Sequence, residues 1–544
     1  MSCTLKPVSV IGLPGCHQCI VVIASCLWVV VSGCASPAAI EETVDLFDQY
    51  EVVSGTARRQ TIAPGFFSGG TMAELIVAHI DDQYNRRVRM YAFKENKWMP
   101  VINTKLRRGV KFIDVASING RDRLLTYERG RVNWFDPDSG KEQALLEVTT
   151  HFNATDAGAL PRIDITRDLN GDGRDDLLLP DIDGFWTSMQ MSDGSFSDVV
   201  KLGPPEPFLD EDGLDAGGLN KSKSYRELGI TAFTAPFYLS RVHEMDYNQD
   251  GRNDLVFWNE DHFELYLQNE SGWFSAPASS FWVDVPIDAD GVYSHIFAFS
   301  HTGVFRLLLG LKKEVKRTVL HAVRDMNGDQ IADLVTLTLT GRNPFKQRSV
   351  YSVYFGASTP DGILFSPEVS AVIRPRGKAG ASQPWGYAKR WFEDFDGDGQ
   401  VDILLTDIRM GLGGMVGALA ARSVGIDIEA FRMERGTYSD KPGFQRQIRT
   451  KVDTFGGAVL LGDVNGDGRA DLLMGGKSRT ELDLYFGLPG PDIFASQPQT
   501  VAIERPFNGE RAWLVDLNDD GKQDILMQHV TTDVPHKLSI LIAR

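Results

Sequence analysis

Cysteine is scarce in this 544-residue chain, and all five, Cys3, Cys16, Cys19, Cys26 and Cys34, lie within the first 34 residues. No disulfide can form beyond that point, so a disulfide-stapled fold is excluded for the bulk of the chain. Long apolar runs are missing too. The uncharged stretch 19–31 (CIVVIASCLWVVV) is too short for an ordinary membrane helix and has the length of a signal-peptide core. The chain has no long basic patch to argue for nucleic acid. Its ten histidines form no His-Glu-x-x-His, and no Gly-x-Ser-x-Gly elbow occurs. The glycines Gly411, Gly413, Gly414 and Gly417 are not followed by Lys-Ser/Thr, which excludes a phosphate loop. The sequence supports no catalytic constellation.

What the chain has instead is acid at a fixed spacing. One pattern, Asp-x-(Asn/Asp)-x-Asp-(Gly)-x-x-Asp followed by Leu or Ile, with the Gly present in five copies, occurs six times: DLNGDGRDDL from Asp168, DYNQDGRNDL from Asp246, DMNGDQIADL from Asp325, DFDGDGQVDI from Asp394, DVNGDGRADL from Asp463 and DLNDDGKQDI from Asp516. Oxygen ligands at positions 1, 3 and 5 of a tight loop, Gly at 6 for the turn, a carbonyl at 7 and an acid at 9 are the chemistry of a calcium loop. The first copy offers Asp168, Asn170, Asp172, Arg174 through its carbonyl, and Asp176; the second offers Asp246, Asn248, Asp250, Arg252 and Asp254. The third offers Asp325, Asn327, Asp329, Ile331 and Asp333, and the fourth Asp394, Asp396, Asp398, Gln400 and Asp402. The fifth and sixth offer Asp463, Asn465, Asp467, Arg469, Asp471 and Asp516, Asn518, Asp520, Lys522, Asp524. Up to six Ca²⁺ ions are expected. Gln330 stands at position 6 of the third copy, where a side chain costs about 1 kcal/mol, so that site is expected to be the weakest.

Each loop is flanked by short apolar runs such as Leu177-Leu178-Leu179 and Trp391-Phe392, which read as strands rather than EF-hand helices. The motif starts are 78, 79, 69, 69 and 53 residues apart. Such periods indicate a repeat architecture, and a four-stranded propeller blade takes roughly 40 to 50 residues. Two upstream segments, 73–80 (AELIVAHI) and 120–127 (GRDRLLTY), keep the strand without the ligands, which makes eight units. The fold class expected is all-β, a propeller of seven or eight blades over 61–544, with insertions near 204–236, 286–316 and 410–449. Within 410–431, Met415/Leu419 and Val416/Ala420 at i,i+4 predict a short amphipathic helix, packed on the rim or contacting a partner or membrane. His243, His321, Tyr247 and Trp258 are either ordinary strand positions or the lining of a central funnel.

The motif resembles the FG-GAP (VCBS-type) repeat of integrin α propellers and of many bacterial surface proteins. That resemblance implies loops joining the first two strands of each blade on one face, with partners bound on the other. It also implies a binding or adhesion scaffold for a protein or a polysaccharide. The alternative, by fold analogy alone, is a polysaccharide lyase or hydrolase with its active site in the funnel. Val31-Ser32-Gly33-Cys34 is similar to a bacterial lipobox. It implies a signal peptide over 1–33, lipidation of Cys34, a tether or ring-closing strand over 34–60, and export to the bacterial outer membrane, periplasmic or surface-facing. The formal charge of −17 follows mainly from the loops, with three ligand aspartates in five of them and four in the Asp394 loop. Acidity here is a metal signature rather than evidence of a cationic partner.

Overall fold

The computed structural model describes residues 46–150, 159–181, 184–203, 242–259, 261–274, 279–290, 315–341, 348–375, 390–408, 423–451, 459–476, 478–490, 492–506, 511–530 and 535–544. Expectations for the signal peptide, for Cys34 and for the 204–236 insertion lie outside these residues.

Eight antiparallel sheets follow one another along the chain. Blade 1 is Gln60–Gly65, Glu74–Ile80, Arg86–Lys94 and Lys97–Lys105; blade 2 is Val110–Ile118, Arg121–Glu128, Gly130–Asp136 and Lys141–Val148. Blade 3 is Thr166–Arg167, Asp176–Asp181, Gly184–Ser188 and Val200–Leu202; blade 4 is His243–Met245, Asp254–Asn259, His262–Tyr266 and Ser279–Phe281. Blade 5 is Val315–Arg324, Asp333–Gly341, Arg348–Tyr354 and Ala371–Ile373, with Ala289–Asp290 added in parallel on its inner edge. Blade 6 is Arg390–Glu393, Asp402–Ile408, Ser423–Phe431 and Phe444–Lys451; blade 7 is Val459–Gly462, Asp471–Gly475, Glu481–Tyr485 and Gln499–Ala502. Blade 8 takes Ala512–Val515, Asp524–His529 and His536–Ala543 from the C-terminal end and Phe47–Gly55 from the N-terminal end. First strands of neighbouring blades touch, as Gln60–Gly65 touches Val110–Ile118 and His243–Met245 touches Val315–Arg324, so they line the axis of a propeller.

Second strands such as DLLLPD (Asp176–Asp181) and DILMQH (Asp524–His529) are buried along their whole length, because each is covered by a blade on both faces. The core therefore lies between blades. Leu75, Val77, Tyr91 and Trp98 of blade 1 pack on Leu526, Leu538, Ile540 and Val52 of blade 8, which closes the ring. Each fully buried Leu or Ile of this kind contributes roughly 1.5–3 kcal/mol.

The eight units are eight blades, and 73–80 and 120–127 supply second strands as expected. The ring-closing reading holds for part of 34–60, and the 410–449 insertion is corrected. Part of the 34–60 segment, Phe47–Gly55, is the outer strand of blade 8, in register from Phe47 opposite Ala543. Its pattern is weak because this edge strand buries only three of its residues, Phe47, Val52 and Ser54, without regular alternation. The helix expected within 410–431 does not reach Ser423–Phe431, which is a strand, and Phe444–Lys451 pairs with it inside the blade rather than in an insertion. Ile426, Ile428 and Ala430 repeat with period two and are buried, which a helix would not produce. The remainder, 409–422, lies outside the described residues.

Candidate metal centre

All six acidic loops join the first and second strands of blades 3 to 8, and share one hydrogen-bond scheme. The position-1 aspartate folds the loop around itself. Its Oδ2 accepts the amide of position 6 at 2.7–2.9 Å in every copy, from Gly173, Gly251, Gln330, Gly399, Gly468 and Gly521. Position 5 accepts the amide of position 7, as Asp172 does from Arg174 (3.0 Å), Asp398 from Gln400 (2.9 Å) and Asp520 from Lys522 (2.9 Å). The Asn at position 3 accepts from the position-5 amide in four loops, through Asn170, Asn248, Asn327 and Asn465. These loop residues are partly or fully exposed. Arg174, Arg252 and Arg469 lay their guanidinium groups on Asp172, Asp250 and Asp467.

The position-9 aspartates are different. Asp176, Asp254, Asp333, Asp402, Asp471 and Asp524 are at most 1% exposed. One carboxylate oxygen accepts the position-2 amide, and the other accepts an amide just after the third strand: Asp176 from Leu169 (3.1 Å) and Gln190 (2.7 Å), Asp471 from Val464 (3.1 Å) and Gly487 (2.8 Å). Burial, with the amides opposing it, pushes Asp176, Asp333 and Asp402 up to about 7 and Asp254, Asp471 and Asp524 up to about 6. This acid clips the loop to the third strand. In blade 1 Glu74 stands in the same register and accepts from Ser68 of its own loop, at 3.1 Å from the amide.

The donor set fits a hard divalent cation. Two oxygens that share a Ca²⁺ at about 2.3–2.6 Å can be no more than about 5 Å apart. One oxygen each from Asp394, Asp396 and Asp398 lies within 4.8 Å of the other two. Two position-3 oxygens, Asp396 Oδ1 and Asn518 Oδ1, are buried without a hydrogen-bond partner, which is costly for a polar atom and suits a ligand atom.

Left-handed backbone is needed at position 4 as well as at position 6. Gln249 (φ 59°) and Asp519 (φ 56°) occupy the first, and Gln330 (φ 68°) the second. The strain expected of the Asp325 loop alone is thus shared with the Asp246 and Asp516 loops.

Loops of successive blades are tied laterally. Val401 N donates to Met326 O (2.9 Å), Ala470 N to Phe395 O (3.0 Å), Gln523 N to Asp463 O (2.7 Å) and Ala73 N to Leu517 O (2.7 Å). Gln268 Nε2 donates to Asn170 O at 2.8 Å, and Gln190 Nε2 to Ser117 O at 2.9 Å. These glutamines were not anticipated, although the shared Gln-x-x-x-Gly-x-Phe of 190–196 and 268–274 marks them in the sequence.

Of the funnel candidates, His243 and His321 line a cleft of about 540 Å³ between the first strands of blades 4 and 5, with Glu244 and Arg324. Tyr247 and Trp258 are packing residues instead, Tyr247 stacked on Phe281 (4.6 Å) and Trp258 edge-on to Phe263.

No curated protein matches the chain. Among solved structures it is similar to an Agrocybe aegerita lectin described as recognising non-reducing terminal N-acetylglucosamine, at 16% identity and TM-score 0.39, covering 85% of this chain and 95% of that one. The V. cholerae biofilm matrix protein Bap1 follows at 10% identity and TM-score 0.33, with 89% and 88% covered. The Pseudomonas aeruginosa periplasmic gluconolactonase PpgL has 11% identity and TM-score 0.28, with 82% and 96% covered. The FG-GAP repeat model matches residues 455–479, on the loop of blade 7. The hydrogen bonds of that loop recur in the five other motif-bearing blades, so the match over one blade and the eight-bladed ring together fit an FG-GAP β-propeller.

Proposed function

We propose that this propeller is a calcium-stabilised binding scaffold of the bacterial cell envelope, which holds a protein or a polysaccharide on the face away from its acidic loops. The observation that carries this reading is the division of labour between the two ends of the strands. Six loops with cation-type donors occupy one end. The long joins from Leu202 to His243, Ile373 to Arg390 and Ile408 to Ser423 all start and finish at the other, where a variable surface can be built without disturbing the loops. Calcium in the loops supplies charge neutralisation and rigidity rather than chemistry. Cys34 is the proposed lipid anchor, which places the protein at the outer membrane.

The test is capture of ligand from envelope extract in calcium, followed by oxidative footprinting. Trp282, 66% exposed at the loop-distal end of blade 4, should be protected, and Met191, 41% exposed beside the acidic loop of blade 3, should not. Protection of Met191 alone would place the partner on the loop face and overturn the reading. Mass spectrometry of the native N-terminus tests the anchor: an acylated Cys34 supports it, and an intact Met1 or a free Ala35 terminus removes it. The second reading, a polysaccharide lyase or hydrolase, has one observation in its favour, the cleft holding His243, Glu244, His321 and Arg324. Glycan cleavage abolished by His321→Ala would establish it.

A further inference from the structure

The loop of blade 6 is unlike the other five in its charge. It alone has a carboxylate at position 3, Asp396, and Gln at position 7, Gln400, and among the described residues it receives a guanidinium from outside the loop. Arg432 stands directly after the third strand of blade 6. Its Nη2 pairs with Asp396 Oδ2 and lies 3.4 Å from Asp398 Oδ2, and its Nη1 donates to the Gly490 carbonyl of blade 7. Asp396 is nine-tenths buried and its other oxygen, Oδ1, is buried without a partner, while one oxygen of Asp396 lies within 4.8 Å of one each from Asp394 and Asp398. The site therefore has one oxygen held by an internal cation and one left without a partner, in a carboxylate cluster of cation-binding size.

We infer that Arg432 is the residue that sets cation affinity in the Asp394 loop: it is a built-in counter-cation that holds three carboxylates together in the absence of metal and opposes the entry of a divalent ion. The inference rests on the calcium reading of the loops. Three carboxylates crowded on one loop repel each other, and one fixed positive charge relieves that repulsion. A divalent ion arriving at the free Asp396 Oδ1 meets the same carboxylates and also the Arg432 charge, which works against it. Position 7 arginines in blades 3, 4 and 7 pair with the position-5 carboxylate and not with position 3. The second contacts of Arg174 and Arg252, to the carbonyls of Gln190 (3.1 Å) and Gln268 (3.4 Å), stay within their own blades, whereas that of Arg432, the Gly490 carbonyl, ties the guanidinium to the next blade.

The experiment is calcium titration by calorimetry and thermal melting of the full ring, with the contribution of this loop isolated by difference against Asp394→Asn. Arg432→Gln should melt lower than wild type in chelator, while its Asp394-loop site binds calcium roughly tenfold more tightly. Arg432→Lys, which keeps the charge, should retain wild-type affinity. Arg432→Gln combined with Asp396→Asn should recover both the chelator melt and the wild-type affinity, which a merely structural arginine would not do. An Arg432→Gln ring that folds and gives a calcium isotherm superimposable on wild type overturns the inference and leaves the calcium reading intact. A wild-type ring that takes up no calcium at all overturns both.

Discussion

A Cβ added to Gly328, in the loop of blade 5, would lie 2.7 Å from the Gly399 carbonyl oxygen in the loop of blade 6. The two acidic loops touch through backbone at this point, with no side chain between them. Gly171 holds the equivalent position in blade 3, also with positive φ, but has open space where the Cβ would go. Gly171→Ala should cost about 1 kcal/mol, the strain of a left-handed alanine alone. Gly328→Ala should cost clearly more, since the neighbouring backbone must also shift. Thermal melts of the two variants in chelator check this; equal costs would mean that the loops do not bear on one another.

Calcium should dominate the stability of the ring. A site filled at 100 times its dissociation constant adds about 2.7 kcal/mol by mass action, and six sites multiply the effect. Chelator should lower the melting temperature strongly, and a melt unchanged by chelator with metal-free loops would refute the calcium reading. Asp467→Ala, in a loop with every expected residue, should lose more calcium stabilisation than Asp329→Ala. Because left-handed strain is shared, Gln330→Gly should gain about 1 kcal/mol and Gln249→Gly less, as Gln249 also accepts a hydrogen bond from Ser358.

The loops were legible because their geometry is local. Asp168 and Asp172 bond amides within five residues of themselves, so spacing alone dictates the turn. The blades were legible for a related reason: in blades 3 to 8 the second strand begins at a fixed offset in its loop, at the position-9 acid, and continues with an apolar run. What the sequence hid depends on distant partners. Arg432 reaches Asp398 from 34 residues away, and its arrival there leaves no periodicity to read. The outer strand Phe47–Gly55 is specified by Ala543 and its neighbours at the far end of the chain. In Ser423–Phe431 the buried Asp427 and Glu429 interrupt the apolar signal; Gln447 and Gln445 of the next strand donate to them at 3.0 and 3.1 Å, which makes their burial tolerable.

The position-9 acid should prove structural even without metal. Asp471 has both oxygens engaged by buried amides, so Asp471→Asn replaces an acceptor by a donor facing a donor. A loss of about 1–3 kcal/mol is expected in chelator as much as in calcium. Glu74→Gln should behave alike in blade 1, where no ligand set exists. Asp467→Asn, by contrast, should matter mainly when calcium is present. If Asp471→Asn is silent in chelator, the carboxylate clip contributes nothing by itself.

Acid should loosen the ring at its closure in blade 8. His529 is 4% exposed, with Nε2 3.0 Å from Ser539 Oγ, and its pKa is lowered to about 4, first by burial and then by Lys537. Arg479 pushes in the same direction, while Glu504 and Glu51 oppose it. The folded ring thus refuses a proton that the unfolded chain accepts near 6.5. The stabilisation from neutral His529 is complete above pH 6.5 and is lost as pH falls toward 4, by on the order of 3 kcal/mol. His529→Gln, which stays neutral, should gain in melting temperature relative to the native ring as pH falls through this window, whatever the sign of the slope they share. Both proteins are compared in chelator, so that acid release of calcium does not enter the difference. Parallel melting curves from pH 6.5 to 4 would remove His529 from the acid response and leave it to the buried loop carboxylates, whose raised pKa values favour the fold as pH falls and give a slope of the opposite sign.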